Sequence, residues 1–233
     1  MKISRMAFLL AAMFALLLSA QGVQATSMIP VNLAQIVKYT ETGFVGTCES
    51  VETVHIEQGW ADKVTFKVTE TIVGKAPADG TITWYQKRMG EASPIPGMPK
   101  YVKGAEHMIF LTAKASGSPF QAPFGLGQGA FKVTRNDAGA ASATNEFDNK
   151  YLYNNLDSAK LRSESAAVAT KNAAAAKQKG APEPKSDGLN SIANQARALS
   201  ASKDPVKDYT AAADTKGMTG GVLSAPAVLT SEK

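Results

Sequence analysis

His55 and His107 are the only histidines in this chain, Cys48 is its only cysteine, and the three are far apart in sequence. Neither histidine has a second His or a Cys at the spacing of a zinc site. No Gly-x-Ser-x-Gly elbow offers a nucleophile to complete a triad. The residue types therefore predict no catalytic group, no metal and no cofactor. Cys48 continues an apolar alternation with Phe44 and Gly46, so it reads as a small buried hydrophobe. His107 follows Glu106 at the start of an apolar run; alternation puts one of the two outside, and His107 reads as a surface or rim residue. Gly125-Leu126-Gly127-Gln128-Gly129-Ala130 fits the G-x-G-x-x-G/A dinucleotide pattern. That pattern works only where a helix follows. Here the β-like Phe131-Lys132-Val133 follows, so the glycines read as a turn with close backbone approach.

The best candidate for recognition is the stretch Met89–Lys103, a long loop with prolines at 94, 96 and 99. Long loops on compact β-domains are uncommon without a role, and proline lowers the entropy lost on binding. Arg88, Tyr101, Gln86 and Pro96 are the predicted binding residues. A rigid cover over one end of the domain is the competing reading of the same loop.

The elements that must position these residues are mostly strands. Asn32 caps a short helix carrying Leu33, Ile36 and Val37. A strand from Phe44 to Val51 continues past a bulge to Val54 and Ile56, and Gln58-Gly59 makes the turn. Lys63–Glu70 alternates with period two, pointing Val64, Phe66 and Val68 inward. Thr81–Tyr85, His107–Leu111 and Ala130–Val133 complete five strands. The expected fold is all-β with one or two short helices: a small five-stranded barrel of the oligonucleotide/oligosaccharide-binding (OB) or netrin-like type, with a sandwich as the alternative.

Three segments follow from composition. Lys2 and Arg5 precede an apolar run from Met6 to Leu18, and Val23-Gln24-Ala25 offers a small-residue cleavage site before Thr26. That is the layout of a secretory signal peptide over 1–25, cut between Ala25 and Thr26. The apolar run is shorter than the ~20 residues a bilayer span needs, so no stable membrane insertion is expected once it is removed. The expected location is periplasmic or secreted. Residues 26–156 form the β-domain, with twelve Lys/Arg balanced by twelve Asp/Glu. Residues 157–233 hold eleven Lys/Arg against eight Asp/Glu and few large apolar groups. They read as an Ala/Lys-rich flexible tail with transient helix, although Leu189, Ile192, Ala196 and Leu199 form a thin apolar stripe. The net charge of +5 is thus not gathered on a folded face, which argues against nucleic-acid binding.

The ordered residues also carry a resemblance. Phe44-Val45-Gly46-Thr47, Phe66-Lys67-Val68-Thr69-Glu70-Thr71-Ile72-Val73-Gly74-Lys75, Gly104-Ala105-Glu106-His107-Met108-Ile109-Phe110-Leu111 and Gln128-Gly129-Ala130-Phe131-Lys132-Val133 resemble a pattern recurring in uncharacterised small exported bacterial β-barrel proteins. In element order the chain is similar to the netrin-like barrel of metalloproteinase inhibitors. Those domains use several disulfides and an N-terminal cysteine that chelates the target's metal. With Thr26 first in the mature chain and Cys48 alone, that mechanism does not carry over. The expectation is an exported, non-catalytic module that binds another exported protein, a protease among the options, or an envelope polymer. A hydrolase with an unrecognised site and a structural envelope component are the alternatives.

Overall fold

The computed structural model describes residues 29–178 and 188–211. The expected signal peptide with its Ala25/Thr26 cut, and the last part of the expected tail, lie outside these residues. Helix α1 (Leu33–Lys38) leads into a meander of long strands: β1 (Thr40–Ile56), β2 (Gly59–Val73) and β3 (Thr81–Gly90). A two-residue β4 (Ser93–Pro94), β5 (Glu106–Thr112), β6 (Ala130–Arg135) and β7 (Ala141–Asn145) follow. Then come helices α2 (Ser158–Gln178), α3 (Gly188–Ser200) and α4 (Pro205–Tyr209). The strands form one seven-stranded sheet in the order β4-β3-β2-β1-β5-β6-β7, and every paired neighbour is antiparallel.

Local chemistry sets these elements. The Asn32 side chain accepts from the Gln35 backbone N–H at 3.0 Å, and the Gln35 side chain accepts from the Asn32 N–H at 2.9 Å. This reciprocal capping box fixes the start of α1. β1 does continue to Ile56, but its bulge lies earlier than expected: the register with β2 shifts between Cys48 and Ser50, and Val51 to Ile56 pair without interruption. β1 and β2 turn at Glu57-Gln58, and Gly59 enters β2 with φ 111°, a backbone conformation that favours glycine.

The sheet separates two cores. On one face Val45, Met108, Phe110, Phe131 and Val133 pack against Leu33, Ile36 and Val37 of α1 and against Leu189, Ile192 and Leu199 of α3. On the other face Phe44, Cys48, Val64, Phe66, Trp84, Ile109 and Leu111 form a largely aromatic cluster capped by Tyr101. Phe66 stacks on Trp84 at 5.5 Å and meets the edge of Tyr101 at 5.3 Å.

Two expectations are corrected here. The mostly β architecture with short helices holds, but there are seven strands rather than five, and among the described residues no ladder joins β4 to β7 to close a barrel. The two strands beyond the expected five are the two-residue β4 and β7, in which Ala141, Ala143 and Asn145 are buried while Ser142 and Thr144 are exposed. The second correction concerns 157–178 and 188–211. α2 buries only Leu161, as its Ala-rich sequence implies, yet α3 buries its whole apolar stripe and α4 buries Tyr209. Arg197 of α3 reaches β2, donating to Glu70 Oε1 at 2.5 Å and the Thr71 carbonyl at 3.2 Å. The segment is tied to the sheet because that stripe matches an apolar face α1 alone leaves open.

Candidate functional site

Two cross-strand rows build the floor of a cleft on the aromatic face. Thr53, Asp62 and Gln86 stand opposite one another across β1, β2 and β3, and Val51, Val64 and Trp84 form the next row. Period-two alternation along β3 carries the same face from Trp84 through Gln86 to Arg88. The roof is the Pro-rich loop. Pro94, Met98, Pro99, Lys100 and Tyr101 face the floor across a cavity of about 230 Å³.

Charge inside the cleft is paired. Arg88 Nη1 donates to both Asp62 oxygens at 2.8 Å, and Thr53 Oγ1 donates to Asp62 Oδ1 at 2.8 Å. Arg88 also holds the start of the loop, giving Nε to the Gly90 carbonyl at 3.2 Å and Nη2 to that of Glu91 at 2.5 Å. Further along, Gln86 Nε2 donates to the Pro99 carbonyl at 3.1 Å, and the Gly127 N–H donates to the Gly97 carbonyl at 2.9 Å. The roof is thus pinned along its length.

Three buried polar atoms in the floor and roof residues have no hydrogen-bond partner among the described residues: Trp84 Nε1, Gln86 Oε1 and the Tyr101 hydroxyl. Their side chains are deeply buried, Gln86 being 4% and Tyr101 8% exposed. Burial pushes the Tyr101 phenol well above its ordinary range, so it stays protonated. An unpartnered buried polar atom costs about 1–3 kcal/mol, which makes three in neighbouring residues notable.

Of the predicted binding residues, the structure brings Gln86, Arg88 and Tyr101 together in this cleft, under the loop rather than on its outer surface. Pro96 stays outside, exposed at the loop's tip. Sequence reasoning missed Thr53 and Asp62. Extending the inward set Phe66 and Val64 back two residues along β2 reaches Asp62, a carboxylate on an apolar face, and that signal was available.

A second cavity of about 290 Å³ lies beyond Pro99 and Lys100, lined by His107, Lys132, Asn145 and Glu146 among others. His107 is a correction to the rim reading. It is 6% exposed, with its ring edge-on to Phe66 and Tyr101 at 5.8 and 5.3 Å. Burial, helped by Lys132 opposite it on β6, lowers its pKa to about 4. Burial also pushes the Glu146 carboxyl up, against the pull of Lys100. His55 is exposed, edge-on to Trp60 at 4.9 Å. Among the described residues no three His, Cys, Asp or Glu side chains group to hold a metal.

The glycine run 125–129 does what a turn requires. Gly125 sits at φ 67° before a short 3-10 helix, Leu126–Gly129, and β6 follows. A Cβ on Gly129 would lie 2.6 Å from the Phe124 carbonyl.

No protein-family model, curated protein or solved structure matches the chain. Among the described residues no helix is long and apolar enough to cross a membrane.

Proposed function

We propose that this chain is an exported, non-catalytic binding module that recognises another envelope or secreted protein through its Pro-rich loop. The observation that carries the reading is the pinning of the loop by Arg88, Gln86 and the Gly97–Gly127 bond. A loop restrained before binding loses little entropy on binding. Large exposed apolar side chains stand at its two ends, Met89 at 73% and Val102 at 67% exposure, and such residues suit a partner surface. Export rests on the signal-peptide layout of 1–25.

The finer architecture belongs to the same reading. The segment 120–123 makes single bridges to Tyr85 of β3 and Leu111 of β5. These contacts support viewing β1, β2, β3 and β5 as an incompletely closed barrel of OB type with its loop at one end.

Photo-crosslinking in intact cells tests the reading, with probes at the exposed Pro96 and Met89. One dominant protein adduct is expected from both positions and none from a probe at Glu57, exposed in the β1–β2 turn. The same scatter of weak adducts from all three positions would sink it.

A further inference from the structure

We infer that the outer edge of β7 is a surface able to pair with the β7 of a second copy of this chain, and that the Asn149 carboxamide is the plug that keeps it closed. This goes beyond the reading of the Pro-rich loop and uses none of its residues. β7 ends the sheet, with β6 on one side and no strand on the other among the described residues. In an antiparallel ladder, alternate residues turn their backbone N–H and C=O away from the neighbouring strand. On β7, Ala143 and Asn145 meet Asn149 in this way. The Asn145 N–H donates to Asn149 Oδ1 at 3.0 Å, and Asn149 Nδ2 donates to the Ala143 carbonyl at 2.8 Å. One side chain thus takes two hydrogen bonds that an added strand would make. A flipped amide would set oxygen against oxygen, so its orientation is fixed.

The turn after β7 delivers that amide. Asp148 and Asn149 both have positive φ, 51° and 59°, a conformation that Asp and Asn tolerate better than most residues. The buried Asn145 holds the turn in shape. Its Oδ1 accepts from the N–H groups of Phe147 and Asn149 at 3.0 Å each, and its Nδ2 donates to the Gln128 carbonyl at 3.2 Å.

The composition of β7 says why a plug is needed and what it excludes. Edge strands are commonly blunted by charged side chains, by proline or by a covering segment. β7 reads Ala-Ser-Ala-Thr-Asn, with neither charge nor proline. The opposite end of the sheet has cover, because β4 pairs with β3 and the Gln121 N–H donates to the Tyr85 carbonyl at 3.0 Å. β7 also complements itself. Two copies in antiparallel register about Ala143 set Ser142 opposite Thr144 and Ala141 opposite Asn145, so hydroxyls meet and no like charges oppose. A two-fold axis lets the same edge serve both copies.

The test uses the full chain and two measurements. Sedimentation over a range of concentrations reads association, and hydrogen exchange reads the Asn145 amide. Asn149→Gly removes the carboxamide and keeps the positive φ without strain. Its Asn145 amide should exchange roughly tenfold faster or more, and its average mass should rise with concentration towards twice the wild-type value. Asn155→Gly is the control, since Asn155 also has positive φ, 57°, but lies outside β7 and its turn. It should match the wild type in both measurements. Ser142→Lys added to Asn149→Gly should abolish the association, because lysine on an edge strand opposes pairing, and should leave the fast exchange in place.

Unchanged exchange in Asn149→Gly would overturn the inference, because Asn149 would not be what closes the edge. Fast exchange without association would overturn it too, since the opened edge would then not accept a second copy. Equal association of Asn155→Gly would trace the effect to lost stability, and association that survives Ser142→Lys would place the contact elsewhere; either result sinks the inference. Should Asn149→Gly fail to fold, Asn149→Asp decides in its place. It keeps the acceptor for Asn145 and the tolerance of positive φ but cannot donate to Ala143, so it should associate where the wild type does not, and a mass equal to the wild type's at every concentration would refute the plug.

Discussion

His107 is a histidine in a place where imidazolium is poorly tolerated. Aromatic rings enclose it, Lys132 stands across the ladder, and Lys100 and Glu146 share its cavity. The unfolded chain takes up a proton near pH 6.5 that the folded chain refuses until about pH 4. The unfolded state thus binds more protons through that window, and stability must fall as pH drops from 6.5 towards 4. At about 1.4 kcal/mol per unit of pKa difference, discounted for solvent screening, the loss is roughly 2 kcal/mol. Urea unfolding at pH 7 and pH 4.5 measures it. His107→Phe should shrink the difference between the two by about that amount, and an unchanged difference would place the sensitivity elsewhere. The sequence put an inside/outside choice at Glu106 and His107 but could not decide it. The outcome follows from Arg135, which draws Glu106 outward through hydrogen bonds of 2.9 and 2.6 Å, a partner distant in sequence.

At the scale of elements, strong alternation was readable and weak alternation was not. β2 declares itself through Val64 and Phe66, and β5 through five consecutive buried residues, His107–Leu111. β7 is built from Ala, Ser, Thr and Asn, types with little or no strand preference apart from Thr, so its inward set is visible only once β6 lies beside it. The site was legible to the same degree. Gln86, Arg88, Pro96 and Tyr101 follow from the loop's position in the chain, but that the loop folds back and buries three of them depends on the Gln86–Pro99 and Gly97–Gly127 bonds. The α3 stripe was readable as helix, though not as core. Leu199 is fully buried in it, so Leu199→Ala should cost about 2–5 kcal/mol of global stability. Ala174→Gly on the exposed side of α2 should cost no more than about 1 kcal/mol, and denaturant midpoints of the two variants give the comparison.

The whole molecule is a sheet that needs cover on both faces. The loop covers the aromatic face, and the helix-side core is shared between α1 and residues from beyond Leu156. Leu161, Leu189, Ile192, Leu199 and Tyr209 all enter that second core. The backbone is joined there as well: Asp157 N–H donates to the Tyr209 carbonyl at 2.8 Å, and Ala211 N–H to that of Asn155 at 2.9 Å. Burying the four aliphatic side chains at roughly 1.5–3 kcal/mol each gives a gross gain of about 6–12 kcal/mol. Part of this is offset by the entropy of ordering α3 and α4, but it is as large as a typical domain's entire margin of 5–15 kcal/mol. A chain restricted to 26–156 should therefore lose its cooperative thermal transition and expose an apolar surface that binds a hydrophobic dye. Adding 157–211 back should restore the transition. A truncated chain that melts as sharply and at the same temperature as the full one would mean that α1 alone closes the helix-side face, and that α3 rests on a sheet already complete.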